Sequence, residues 1–478
     1  MIKQNMKGEF CNSDCCSWNG VTCDQSTGHV IGLDVISSQL IAKSMSTVAS
    51  SFFIISVASI LLVMISCFLK SHQFAKLIHL NLSSSNFSGL VPSEISHLSK
   101  LGSRDLSDNN VGHGLEIGQH CFNKILQNLT EVRYLLLDNV NMSPVVPSSL
   151  VNFSSFLISL SLSNTQLRHE FLNGVFRLPF LQYLSLSRNG GLIGNLLESN
   201  WSSPLRLLDL SSTKFSGILP EKIENLIHLN MLDLSYCKFT DSNPGSLWNL
   251  TSITILDLTF NNFTGQVPTL LSNLRKPTRL SFVHNSFFGQ FLDVLGNLSK
   301  VIEIYLFDNN FSGQLPLSAF NLTQIGKASK FLDLHSNLLQ GPLLLLPLSR
   351  KCFSVSNNKL TGETPSWTCG SGTIEYLNLS RRSLQCLGNH DKIFLLDLTM
   401  NRALTTLNLN SNPLEGTLPQ SLAKCSSLEV PDVGNNKIND KFPHWLATLP
   451  KLQVLLLRSN SFQSPIRNLN TRCPFPML

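Results

Sequence analysis

Apolar and polar positions repeat along most of this chain with a fixed period. Between 205 and 300, four blocks of 24 residues align without a gap, and the block 253–276, ITILDLTFNNFTGQVPTLLSNLRK, shows the pattern cleanly. Its Leu256, Leu258, Asn261, Phe263, Gly265 and Pro268 recur at fixed offsets in the blocks around it. The central LxL predicts a short strand whose two leucines point inward while their neighbours face out. A period of this length predicts a stack of turns, with successive strands parallel and about 4.8 Å apart. The Asn after the strand enters a tight turn, where a buried amide must be fully bonded and can reach the backbones of adjacent turns. Gly265 permits a bend that a β-carbon would hinder, and Pro268 fixes φ and suits an edge or turn. No block can bury its apolar side alone, so stacking supplies the core.

The full pattern, LxxLxLxxNxLxGxxP, is a leucine-rich repeat. It predicts an α/β solenoid, a curved superhelix with a parallel sheet on its concave face. Repeats start at Leu77 and near Leu101, Val132, Leu157, Leu181, Leu205, Leu229, Ile253, Pro277 and Val301. Spacing then loosens through Ser329, Arg350, Ile374 and Ile393, and Leu404, Leu428 and Leu452 restore it. The block at Ile393 is cut to its strand half, LLDLTMN, which predicts a bulge or a skipped turn there.

Ahead of the main array, 30–40 begins a repeat and breaks off, and 41–76 reads as a hydrophobic insertion before the solenoid of 77–478. Within it, 48–69 holds 22 residues without a charge, enough to span a bilayer. Three readings stand: a membrane helix, the apolar region of a signal peptide if translation starts at Met45, or foreign sequence from a splicing or gene-model error. The run lacks LxL spacing and is expected to project from the stack or interrupt it. Residues 1–10 are too short and polar for a secretory signal.

The stretch 11–24, CNSDCCSWNGVTCD, carries the family resemblance. CCSWNGVTCD resembles the N-terminal cap of plant extracellular leucine-rich-repeat proteins, and with the repeats it places the chain beside plant receptor-like proteins, including disease-resistance receptors. The resemblance covers about 11–40 and 77–478. It implies a cap in 1–29 with a Cys16–Cys23 disulfide packed under Trp18, covering the apolar end of the first turn. It leaves Cys15 without its family partner, for which Cys11 is a substitute. Relative to the family, both ends read as incomplete. The alternative for these thiols is a zinc site with His29, which the spacing disfavours.

Charge and motifs narrow the function. The 36 basic and 30 acidic residues form no basic stripe, which argues against nucleic acid as a partner. Twelve cysteines clustered toward the N-terminus suggest an oxidising compartment. There is no GxSxG, HExxH, P-loop or kinase motif, so no enzyme, cofactor or metal is expected. Sequons at Asn86, Asn128, Asn141, Asn152, Asn200, Asn249, Asn262, Asn297, Asn310 and Asn321 mark candidate glycosylation sites, with Asn81 and Asn378 on the strands themselves. The resemblance implies an extracellular recognition ectodomain, at the plasma membrane or secreted. It would bind a peptide, protein or glycan signal in defence or development and signal through a partner receptor kinase. A secreted inhibitor or wall protein on the same repeat, or a nonfunctional fragment, are the alternatives.

Aligning outward positions of adjacent repeats gives a candidate ligand site. Tyr236, Phe260, His284 and Asp308 form one column, the second residue after the inner LxL, with Arg279, Tyr305 and Phe307 beside it. Aromatic residues and Arg are enriched where binding energy concentrates, and the leucines already fill the core. In this reading Tyr236, Phe260 and Tyr305 stack on the ligand and Arg279 pairs with an acidic group on it.

Overall fold

The computed structural model describes residues 15–17, 19–36, 76–85, 87–109, 114–128, 130–196, 201, 203–240, 245–267, 271, 273–274, 276–290, 301–315, 331–343, 351–361, 374–381 and 403–465. They fall into two compact units, Met1–Phe239 and Thr240–Leu478.

In the first unit Val21–Cys23 lies antiparallel to Val30–Asp34, and Cys16 is bonded to Cys23 with the Cα atoms 5.7 Å apart. Trp18 lies outside the described residues. Val30–Asp34 then pairs in parallel with His79–Asn81, so no strand intervenes between the broken first repeat and the resumed array. The run 48–69 also lies outside the described residues, among which no helix is long and apolar enough to cross a membrane. From His79–Asn81 the parallel ladder continues through Ser103–Asp105, Tyr134–Leu136, Ser159–Ser161, Tyr183–Ser185, Leu207–Asp209 and Met231–Asp233.

The second unit repeats the arrangement with Ile255–Asp257, Arg279–Ser281, Glu303–Tyr305, Phe331–Asp333, Cys352–Ser354, Tyr376–Asn378, Thr406–Asn408 and Val430–Asp432, all parallel and in register. Tyr376–Asn378 pairs directly with Thr406–Asn408, on either side of the truncated block at Ile393. Residues 382–402 themselves lie outside the described residues. Both units are leucine-rich-repeat solenoids.

From His79–Asn81 onward each strand of the ladder is three residues long and buries its middle one. Leu80, Leu160, Leu184, Leu208 and Leu232 in the first unit, and Leu256, Leu280, Ile304, Leu332 and Leu377 in the second, are buried. The second leucine of each LxL is buried too, so the two inward residues of successive repeats form the core. Short 3-10 turns such as Ser93–His97, Glu221–Asn225 and Gln420–Lys424 close the far side, each entered through a proline at its N-cap whose φ is already set.

Two polar devices hold the turns after the strands. The first is the buried Asn. Asn309 Nδ2 donates to the carbonyls of Leu306 and Phe307 in its own turn and of Phe282 in the preceding one, at 3.3, 3.2 and 2.7 Å, while its Oδ1 accepts from Phe287 N–H at 3.0 Å. Asn109, Asn189, Asn285, Asn337, Asn358, Asn436 and Asn460 bridge neighbouring repeats in the same way. The amide thus satisfies backbone groups that the turn would otherwise leave orphaned. The second device is the third strand residue, often Asp or Asn, whose Oδ1 accepts from the N–H two residues on. Asp105, Asp209, Asp233, Asp257 and Asn408 all do so. On the opposite side Gly289 and Gly313 sit at φ +102° and +90°, and a β-carbon on either would fall within 2.7 Å of the Gln266 or Gln290 side chain.

One strand breaks the apolar rule. Arg104 takes the inward middle position of Ser103–Asp105 and is fully buried. Its Nη2 donates to Ile95 carbonyl at 3.3 Å, while Nε and Nη1 have no partner. Burial lowers its pKa to about 10.

Candidate ligand-binding face

The outward column of the sequence reading is not on the strands. Tyr236, Phe260, His284 and Asp308 sit in the turn just beyond them, at φ +54°, +52°, +49° and +52°. The same turn position is left-handed throughout the array, as at Ser84, Asp108, Asn164, Arg188, Ser336 and Asn435, because the chain must turn there to bring the next residue inward. Asn, Asp and Ser suit this conformation, whereas bulky aromatic residues are outliers in it. Tyr236 and Phe260 therefore occupy the turn at a conformational cost, of order 1 kcal/mol each. Their side chains remain exposed, 55% for Tyr236 in the first unit and 39% for Phe260 in the second.

In the second unit the rings form a continuous row. Phe260 stacks on His284 with centroids 4.0 Å apart, His284 meets Phe307 edge-on at 5.9 Å, and Phe307 stacks on His335 at 4.2 Å. Four successive repeats contribute one ring each. A shorter second row lies on the strands, where Tyr305 stacks on Phe331 at 6.5 Å and the Arg279 guanidinium lies over Tyr305, 5.8 Å from its centre. Offset and edge-on contacts of this kind favour fixed ring orientations.

Carboxylates line these rows. His284 Nε2 is 3.0 Å from Asp308 Oδ2, and His335 Nδ1 is 2.7 Å from Asp333 Oδ1. Arg279 is engaged from both flanking repeats, by Asp257 at 3.4 Å and Glu303 at 3.8 Å. Its charge is thus already matched inside the face, which alters the role read from sequence, that of receiving an acidic group on the ligand. Burial works against protonation of His335, but the hydrogen bond and charge of Asp333, with Asp308 behind it, outweigh it and raise the imidazole pKa. Burial, and then the Glu303 carboxylate, push the Tyr305 phenol up.

Asp257, Glu303, Phe331, Asp333 and His335 were absent from the sequence-derived set. His335 occupies the same offset from its LxL as Phe307, and Phe331 the same offset as Arg279 and Glu303. Carrying the alignment across the longer spacing between Val301 and Ser329 brings both into the face. Among the described residues no group of His, Cys, Asp and Glu is arranged to hold a metal ion.

The sequons differ in their surroundings. Asn152, Asn249, Asn262 and Asn310 are exposed. Asn128 is exposed at the end of the helix Gln119–Asn128 and donates to Ser96 Oγ, whereas Asn141 is half-buried and bonded to Glu116 and Ser143. Asn81 and Asn378 are half-buried on the strands and hold the N–H groups of Ser83 and Ser380. Asn86, Asn200, Asn297 and Asn321 lie outside the described residues.

The stacked strands and the amide ladder define a leucine-rich-repeat scaffold. Comparison with known proteins agrees. The leucine-rich-repeat family profiles match residues 203–263 and 402–462, and 76–98. Receptor-like protein 9DC1 of Solanum pimpinellifolium is 36% identical over 246 residues, covering 46% of this chain and 25% of that protein. Receptor-like protein Cf-9 of the same species is 34% identical over 245 residues with the same shares, and receptor-like protein 18 of Arabidopsis thaliana is 38% identical over 149 residues, 30% of this chain and 17% of that one. The matches span about a quarter or less of these relatives' length. Among solved structures, a TDR receptor superposes with a TM-score of 0.69 at 25% identity, covering 82% of this chain and 65% of its own. The Arabidopsis receptor kinase HAESA, in complex with the peptide hormone IDA and the co-receptor SERK1, superposes with a TM-score of 0.66 at 26% identity, covering 94% and 65%. The repeats resemble those of plant leucine-rich-repeat receptor-like proteins.

Proposed function

We propose that this chain is the ligand-recognition part of a plant receptor-like protein, exposed at the outer face of the plasma membrane or secreted, acting in defence or development. It binds a peptide, protein or glycan signal on the strand side of its second unit and signals through a partner receptor kinase. The observation that carries the reading is the row Phe260, His284, Phe307 and His335, exposed at its first two rings and half-buried at its last two, which sits on a side of the repeat where the core has no need of aromatic residues. Aromatic groups on a rigid support bind with little loss of side-chain entropy. The likeness to a receptor kinase solved with a peptide hormone and a co-receptor supports both halves of the proposal. So does the exposure of Asn152 and Asn249, where glycans would lie away from the strands, in the segments leading into the next repeat.

The test is selection of a random dodecapeptide phage library on the secreted chain, followed by binding of the selected peptides to Phe260→Ala and Phe307→Ala. Secretion and circular dichroism control for folding. Peptides that lose affinity about tenfold on either variant place binding on this face, since a hot-spot truncation is worth about 1–2 kcal/mol or more. Peptides that bind both variants as they bind the parent chain refute it.

A further inference from the structure

The aromatic row has a charge setting that selects among ligands. We infer that the face of the second unit recognises a cationic segment, an arginine- or lysine-bearing stretch of a peptide. The inference rests on the proposed reading of this face as ligand-binding and specifies its chemistry.

Four carboxylates, Asp257, Glu303, Asp308 and Asp333, share the face with one permanent cation, Arg279. While both imidazoles are neutral the face is three charges negative, and two of those carboxylates are already spent on Arg279. The uncompensated pair, Asp308 and Asp333, flanks the ring row at His284 and His335. A guanidinium or ammonium group laid along the row would meet aromatic surface, exposed at Phe260 and His284, with Asp308 beside His284 and Asp333 beside His335. Cations are drawn to aromatic faces, and a nearby carboxylate adds a charge-assisted hydrogen bond. An acidic segment would meet the same rings but would be repelled by both carboxylates, and Arg279 has no unmatched charge to offer it.

His335 makes the preference depend on pH. The charged groups around the two imidazoles are Asp308 beside His284, and Asp333 with Asp308 beside His335. Protonation of His335, which sits against Asp333 at 2.7 Å, takes one negative charge off the face and places positive charge within the ring row. Affinity for a cationic segment therefore falls as pH falls through the imidazole range.

The dodecapeptides selected on the secreted chain test this directly, by their composition and by their response to Asp308→Asn and Asp333→Asn. These substitutions keep side-chain shape and remove charge. The expected result is enrichment of peptides carrying Arg or Lys next to an aromatic residue. Their affinity should drop about tenfold on Asp308→Asn or Asp333→Asn, and severalfold between pH 7.5 and pH 5.5 on the parent chain. Enriched peptides that are acidic or uncharged, lose binding on Phe260→Ala and Phe307→Ala, and keep it on both carboxylate variants overturn the charge preference alone. Enriched peptides indifferent to all four substitutions, or no enrichment over a bait-free control, overturn the face as a peptide site as well. If a carboxylate variant is not secreted, the salt dependence of binding to the parent chain serves instead: affinity for selected peptides that does not weaken between 50 and 300 mM salt contradicts the inference.

Discussion

The two units are built on one repeat but hold their turns differently. In the second, the ladder position is Asn at 261, 285, 309, 337, 358, 412, 436 and 460, and Arg at 382, outside the described residues. In the first it is Ser85, Asn109, Val140, Thr165, Asn189, Thr213 and Cys237. An amide offers two donor hydrogens and an acceptor, so Asn309 serves four backbone groups across two repeats. A hydroxyl or thiol has one hydrogen to give. Thr213 Oγ1 donates to Leu210 carbonyl and accepts from Phe215 N–H, and Cys237 Sγ reaches back to Leu210 carbonyl at 3.1 Å. Val140 has no polar side-chain atom, and its turn relies on backbone bonds such as Val140 N–H to Leu137 carbonyl. The first unit also carries Arg104 in its core. The second unit is the more uniformly bonded support, and the continuous ring row lies on it. Binding groups need such backing, because a loosely held support spends affinity on ordering.

The comparison can be tested from its strongest element downward. Asn309→Ala takes the acceptor from Phe287 N–H and one of two donors from the carbonyls of Phe282, Leu306 and Phe307, and should destabilise the chain by about 3 kcal/mol in urea unfolding, against about 1 kcal/mol for Thr213→Ala in the first. Equal losses would remove the distinction between the ladders. Arg104→Leu should act in the opposite direction. It replaces a buried charge that has a single hydrogen bond with the side chain the position calls for, and should raise stability by about 2 kcal/mol. An unchanged or lowered urea midpoint would show that the first unit has accommodated the charge. Cys237→Asn restores an amide to the first unit's ladder and should add about 1 kcal/mol, provided the slightly larger side chain fits.

The smallest effect is on pH. The folded pKa of His335 is raised, so the imidazole binds its proton more tightly in the folded chain than in the unfolded one. Its contribution is fully present below the unfolded value, about 6.5, and is lost as pH rises through the raised folded value. Thermal melts between pH 6 and pH 8 should show the parent chain losing stability relative to His335→Gln, and the difference should vanish on an Asp333→Asn background. A pH-independent difference would mean that the pair contributes packing rather than charge.

Much of this molecule could be read locally. The period, the inward leucines, the buried Asn and the outward column all follow from the spacing of residues within one repeat, because each repeat meets only its neighbours and obeys the same rules. Relations between repeats were not legible in this way. That Tyr376–Asn378 pairs across the interruption with Thr406–Asn408 depends on register between strands 30 residues apart. That Asp257 and Glu303 neutralise Arg279, and that Phe331 and His335 complete the two ring rows, depends on side chains meeting laterally across a sheet, at separations that the uneven spacing after 301 obscures. The left-handed turn beneath Phe260 is likewise a property of how the chain must bend to bury Asn261. The type and phase of each repeat reside in short-range pattern. The charge of the candidate face arises from longer-range contacts, because electrostatic pairing depends on which groups the stack brings within a few ångströms of one another.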